Sequence, residues 1–284
     1  MKIERAKQVI QSIRNLAKED SSLSINELRV VIALERAIAR LEQDKNLAEH
    51  LVFKGGFVLL KHYKSVRFTR DVDALAIAIS KQELKDSVER ALSNDLDDGL
   101  WFGDIKVHDL EEQGKYGSYR FDCAFQIGEP DPAKKHKLSR VHIDIGFSDL
   151  LTAKPIHQKM HSILRDNEPI SWRIYPKEQV IAEKIQTLYD RGSGSSRAKD
   201  IYDILFLFSQ CRDHKKLLSA IKNTFKDRKT TLPMSFVEEA KKFDRSILTL
   251  AWPGVKVLGD KPDFEEVWKT FLDYLEMLDE VVVD

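Results

Sequence analysis

Apolar residues over residues 5–45 recur at helical spacing, with Leu28, Val31, Ile32, Ala39 and Leu41 on one broad face. Ser24-Ile25-Asn26-Glu27 has the form of a capping box and predicts a helix start there. From about residue 50 the pattern changes to β-type runs at 71–79, 105–110, 119–127 and 141–147, with a helix at 81–92 between the first two. A loop at 128–137, holding Pro130, Pro132 and Lys134-Lys135-His136-Lys137, joins the last two. Helical periodicity returns after residue 151, over 176–191, 197–208, 214–225, 235–242 and 263–279. The pattern predicts N-terminal helices (1–45) packing on a mixed α/β core (46–150), followed by a helical C-terminal domain (151–284).

Composition narrows the classes of function. Lysine plus arginine equals aspartate plus glutamate at 46 each in 284 residues, so whole-molecule steering toward nucleic acid is not expected, and any RNA contact has to come from a local patch. No stretch approaches the roughly 18 apolar residues of a membrane span, and Met1-Lys2-Ile3-Glu4-Arg5 begins no apolar leader, so a soluble cytoplasmic protein with no membrane partner is expected. Cys123 and Cys211 lie far apart, which supports neither a disulfide scaffold nor a thiolate zinc site.

Candidate chemistry concentrates between Lys54 and Asp73. Gly55-Gly56 precedes the apolar run Phe57, Val58, Leu59, Leu60, which reads as a helix opening at a loop where backbone N–H groups can approach an anionic phosphate. On a strand, Asp71 and Asp73 point to one side and Val72 to the other. Two adjacent carboxylates repel unless a cation joins them, and Mg²⁺ is suited by one or two carboxylates completed by water and substrate phosphates. The pair implies phosphoryl or nucleotidyl transfer.

Further candidates lie downstream. Asp144, in Val141-His142-Ile143-Asp144-Ile145, is either part of an exposed strand face or a third carboxylate beside Asp71 and Asp73. Lys184 falls inside the apolar stripe of Val180, Ile181, Ile185 and Leu188, with Arg191 along the same line. Either these cations snorkel at the helix end, or they line a cleft between domains and hold phosphates. In Lys199-Asp200-Ile201-Tyr202-Asp203 the stripe of Ile201, Ile204, Leu205 and Phe208 has Asp200 at its margin, and Asp203 reads as a first-turn acid favoured by the helix dipole. His157 and His161 lack the intervening glutamate of a helical zinc pair, and Lys222, Lys226, Arg228 and Lys229 read as a solvated helix end before an RNA patch.

The ordered series Phe53-Lys54-Gly55-Gly56, Arg67-Phe68-Thr69-Arg70-Asp71-Val72-Asp73, Asp144, Lys184 with Arg191, and Lys199 to Asp203 resembles the nucleotidyltransferase toxins of the AbiEii/AbiGii family, in the polymerase-β-like superfamily. The resemblance spans roughly residues 25–210. It implies a minimal nucleotidyltransferase fold with a helical C-terminal domain and Mg²⁺- or Mn²⁺-dependent use of a nucleoside triphosphate. It also implies a toxic, abortive-infection role in phage defence, opposed by a cognate antitoxin. Some relatives modify the tRNA 3′ end, so an RNA acceptor, tRNA first, is expected. Carried over, Lys54, Gly55 and Gly56 position the triphosphate, and Asp71, Asp73 and Asp144 bind metal. Lys184 and Arg191 neutralise phosphate charge, and Asp200 belongs to the last motif. Gly56 stands where many superfamily members have serine, so no hydroxyl is available there. Transfer to a protein or small-molecule hydroxyl, or nucleotide binding without turnover, stay open as alternatives.

Overall fold

Helices α1 (Lys2–Glu19) and α2 (Ile25–Gln43) fill the predicted N-terminal helical region in the computed structural model, which describes residues 2–110, 117–147, 153–164 and 166–283. Ser24 accepts from the Glu27 N–H and Glu27 reaches back to the Ser24 N–H, so two first-turn donors of α2 are satisfied reciprocally. The chain divides into two compact units. The first comprises Met1–His62, Thr69–Asp149 and His157–Ile174; the second comprises Tyr63–Phe68, Leu150–Ile156 and Tyr175–Asp284. The domain boundary expected at residues 150–151 falls outside the described residues.

After α3 (Lys45–His50) the first unit holds β1 (Leu51–Lys54), α4 (Gly55–Lys61), β2 (Asp71–Ala76), α5 (Lys81–Ser93), β3 (Leu100–Asp109), β4 (Ser118–Ile127), β5 (Ser139–Gly146), β6 (Ile156–Met160) and β7 (Ile170–Ile174). Among the described residues these strands form one mixed sheet of seven, in the order β3-β4-β5-β2-β1-β7-β6. Phe121, Cys123, Val141, Ile143, Val72 and Ala74 point to the buried side, on which α1 packs against β4 and α2 against β5 and β7. The alternate residues form the polar face.

Buried charges fix the helices to the sheet. Glu35 of α2 is fully buried and accepts from Lys61 at the end of α4 (2.5 Å), from Ser162 Oγ (2.5 Å) and from the Ile163 N–H. Arg36 and Arg40 converge on Asp98, whose carboxyl burial would raise but the two guanidinium groups hold below the usual range. A buried acid with two or three charge-assisted partners locks the elements that carry them.

The expected helical span from residue 151 needs correction, because β6 and β7 lie inside it. Both strands are five residues long with half-exposed alternation, too short to stand out from loop sequence. β1 lacks a strand signal for another reason. Its run Leu51-Val52-Phe53 is buried on both faces, so no period of two marks it.

The second unit is helical: α6 (Lys177–Arg191), α7 (Ala198–Phe208), α8 (His214–Asp227), α9 (Phe236–Ala240), α10 (Arg245–Ala251) and α11 (Phe264–Val283). α6 packs on α7 and α8, and α11 on α7, α8 and α9. Tyr189 of α6 meets Phe225, Phe236 and Phe243 edge-on. No helix among the described residues is long and apolar enough to cross a membrane.

Candidate active site

β1 runs antiparallel to β2 with Lys54 opposite Asp73, and the chain turns directly from β1 into α4 at Gly55. Gly55 has φ +74°, and a Cβ there would sit 1.9 Å from Asp73 Oδ2. Both conditions exclude a side chain. The turn brings backbone against the Asp73 carboxylate, and Lys54 provides no side-chain cap for the first turn of α4. Gly56 follows, buried within that turn.

Along β2 the alternation is as the sequence predicts: Val72 is buried and Asp71 and Asp73 are half-buried on the polar face. β5 lies parallel to β2 with Asp144 opposite Asp73 and His142 opposite Asp71. Of the two readings open for Asp144, the register puts it beside Asp73, half-buried. It is not a free carboxylate. Arg120, its antiparallel partner on β4, donates through Nε at 2.8 Å and Nη2 at 2.7 Å to its two oxygens. The hydrogen bonds to Asp144 and the charges of Asp144, Asp71 and Asp73 raise Arg120 above its ordinary pKa against the opposing effect of burial. Asp71 accepts from the Thr69 hydroxyl. Asp144 is paired with Arg120, and no group of three or more His, Cys, Asp or Glu side chains among the described residues is arranged to ligate a metal. Asp71 and Asp73 share the polar face of β2, and one or two carboxylates are what a hard cation such as Mg²⁺ takes from a protein.

In the second unit a separate group of charges is buried. Lys184 of α6 donates to Asp200 at 2.6 Å and lies 2.9 Å from Asp203. Arg67 grips Asp203 with Nε (2.6 Å) and Nη2 (2.9 Å), and Arg197 pairs with Asp200. Both acids are 0% exposed. Burial would raise the Asp200 carboxyl, but Lys184 and Arg197 outweigh it and hold the group well below the usual carboxylate range. Lys184 is raised in turn, because Asp200 and Asp203 outweigh its desolvation. Lys184 therefore does not snorkel; it is paired. Arg191, at the end of α6, is exposed and does not join the cluster.

Local sequence assigns no partner to Arg120, Arg67 or Arg197, although Arg67 opens the motif that ends at Asp73. The alternation of β4 put Arg120 on the polar face with Asp122, but only strand register tells which acid it meets. Asp203, which the helix dipole alone would favour, is instead buried on α7 against two cations. His157 lies in β6 and His161 just beyond it, so their helical spacing has no meaning here.

The family model for the nucleotidyl transferase AbiEii toxin of type IV toxin–antitoxin systems matches residues 36–281. The chain belongs to that family. It is a nucleotidyltransferase. JHP933 from Helicobacter pylori is similar in structure, with TM-score 0.56 and 20% identity over 91% of this chain and 94% of that one. A putative nucleotidyltransferase from H. pylori gives TM-score 0.57 and 20% identity, covering 91% and 96%. MenT4, the nucleotidyltransferase toxin Rv2826c from Mycobacterium tuberculosis H37Rv, gives 0.52 and 16%, covering 95% and 98%. At these identities the likeness concerns the fold. No curated protein sequence matches the chain.

Proposed function

We infer that this AbiEii-family nucleotidyltransferase is the toxin of a toxin–antitoxin pair and moves a nucleoside monophosphate from an NTP to an RNA 3′ hydroxyl, with tRNA the expected acceptor. The observation that carries the reading is the pair Asp71 and Asp73 on one polar strand face, packed against a Gly55 turn that admits no side chain. MenT4, of similar fold, is described as a nucleotidyltransferase toxin, which supports the toxic role.

In the proposed reaction the acceptor hydroxyl oxygen forms a bond to the α-phosphorus. The bond to the α–β bridging oxygen breaks, pyrophosphate leaves with that electron pair, and the hydroxyl proton passes to a base or to water. Asp71 and Asp73 would hold Mg²⁺ or Mn²⁺, which when bound neutralises charge on the phosphates and the attacking oxygen. The Gly55-Gly56 turn, with Lys54, positions the triphosphate. Lys184 and Arg191 are assigned phosphate charge. Lys184 belongs to a group of three cations, with Arg67 and Arg197, set against the two carboxylates Asp200 and Asp203. Asp200 fixes the Lys184 ammonium. The toxin acts in abortive phage defence, and a cognate antitoxin is its partner.

The test is to supply α-labelled NTP with a divalent cation to the protein in the presence of RNA, protein and small-molecule fractions. Label in RNA of tRNA size supports the reading. Label in protein or a metabolite assigns a different acceptor. Nucleotide binding with no transfer would make the chain a binding module.

A further inference from the structure

Three carboxylates share the polar face at the β2–β5 pair, and Arg120 is paired with one of them, Asp144. Asp73 faces Asp144 across one strand boundary and Asp144 faces Arg120 across the next, so all project to one side. The Arg120 fork covers one edge of the Asp144 carboxylate with two parallel hydrogen bonds, at 2.8 and 2.7 Å. An ionised carboxylate offers about four lone-pair sites. The fork fills one on each oxygen, and its charge opposes a second cation at the others. The Arg120 side chain is 40% exposed and that of Asp144 20%, so the guanidinium is the outer partner and can swing to solvent without opening the core. Asp122, the next acid along β4, is already held by Arg140 at 2.7 Å. A released Arg120 therefore finds that carboxylate occupied, while a phosphate presents the two oxygens that its planar fork fits.

We propose that Arg120 is a positioning residue that competes with a divalent cation for Asp144, so that cation binding transfers Asp144 from the guanidinium to the metal and frees Arg120 for the phosphates of the nucleotide. The inference rests on the reading of Asp71 and Asp73 as the cation site.

Mn²⁺ binding to the full chain, followed by electron paramagnetic resonance without nucleotide, tests it through a double-mutant cycle on Arg120→Gln and Asp144→Asn. Competition predicts that Arg120→Gln tightens Mn²⁺ binding by about tenfold. In the Asp144→Asn background the same change gains less than about twofold, because the ligand competed for is gone. Equal gains in both backgrounds would mean that Arg120 acts only through its long-range charge and would overturn the proposal. So would no gain from Arg120→Gln, or no Mn²⁺ binding in any of the four proteins. Arg120→Lys, which keeps the charge and loses the fork, should give an intermediate gain and carries the test if Arg120→Gln unfolds. The cycle does not read transfer. Coupling without nucleotidyl transfer would overturn the proposed function and leave this inference standing, and transfer without coupling would do the reverse.

Discussion

The Cβ position of Gly55 lies 1.9 Å from Oδ2 of Asp73, so the turn that opens α4 and the carboxylate on β2 occupy one another's van der Waals space as soon as residue 55 has a side chain. Asp73 is thereby seated against backbone. A ligand bound by that carboxylate meets the first turn of α4 with nothing between.

Gly55→Ala should therefore damage both fold and chemistry. Alanine at φ +74° costs more than about 1 kcal/mol in the backbone alone. Displacing Asp73 by an ångström should lower transfer by about 100-fold. Gly146, where an added Cβ meets nothing within 4 Å, is the comparison, and Gly146→Ala should fall well short of both effects in thermal melts and label transfer.

The buried cluster of the second unit predicts a contrast between two aspartates. Asp203→Ala leaves the Arg67 guanidinium and Lys184 short of a partner in a buried place and should destabilise the protein by about 3–5 kcal/mol. Asp71→Ala removes one of three like charges from a half-buried face and should leave stability within about 0.5 kcal/mol. Urea denaturation measures both. Equal losses would contradict the contrast between a fully buried acid held by two cations and a half-buried acid on a polar face.

Much of this was legible in the sequence. Val72 between Asp71 and Asp73 declared a strand with two acids on one face, and the stripe of α6 marked Lys184 as a lysine in need of a partner. What the sequence could not supply was register. Nothing local says that Arg120 meets Asp144 or that Arg67 meets Asp203, residues that lie 24 and 136 positions apart. The short edge strands β6 and β7 were lost for a related reason, since their pairing, and not their composition, makes them strands.

Glu42, at the end of α2, has one buried carboxylate oxygen with no hydrogen-bond partner among the described residues. Burial pushes its carboxyl from 4.5 up to about 8, against the attraction of Arg173. A raised folded pKa means that the native state keeps a proton that the unfolded chain has lost. Stability should fall as pH rises from about 4.5 to about 8. Glu42→Gln should remove that slope, with its gain largest near pH 8 and vanishing toward pH 4. Melting temperatures across that range check it, and parallel curves for the two proteins would refute it.

Nucleotide and divalent cation together should stabilise the protein by more than the sum of their separate effects. Saturation at 100 times the dissociation constant corresponds to about 2.7 kcal/mol. Thermal shift with NTP, with Mg²⁺, with both, and with both plus EDTA should show the full shift only in the third case. An undiminished NTP shift in EDTA would detach the nucleotide from the Asp71–Asp73 pair.

The most direct measurement is transfer of α-label from each NTP to total cellular RNA by the wild-type chain beside Asp71→Ala, with Mg²⁺ or Mn²⁺ present. The account predicts a labelled RNA of tRNA size that the variant fails to produce while melting as the wild type does. Full activity in the variant, or RNA that stays unlabelled under every NTP, would contradict it.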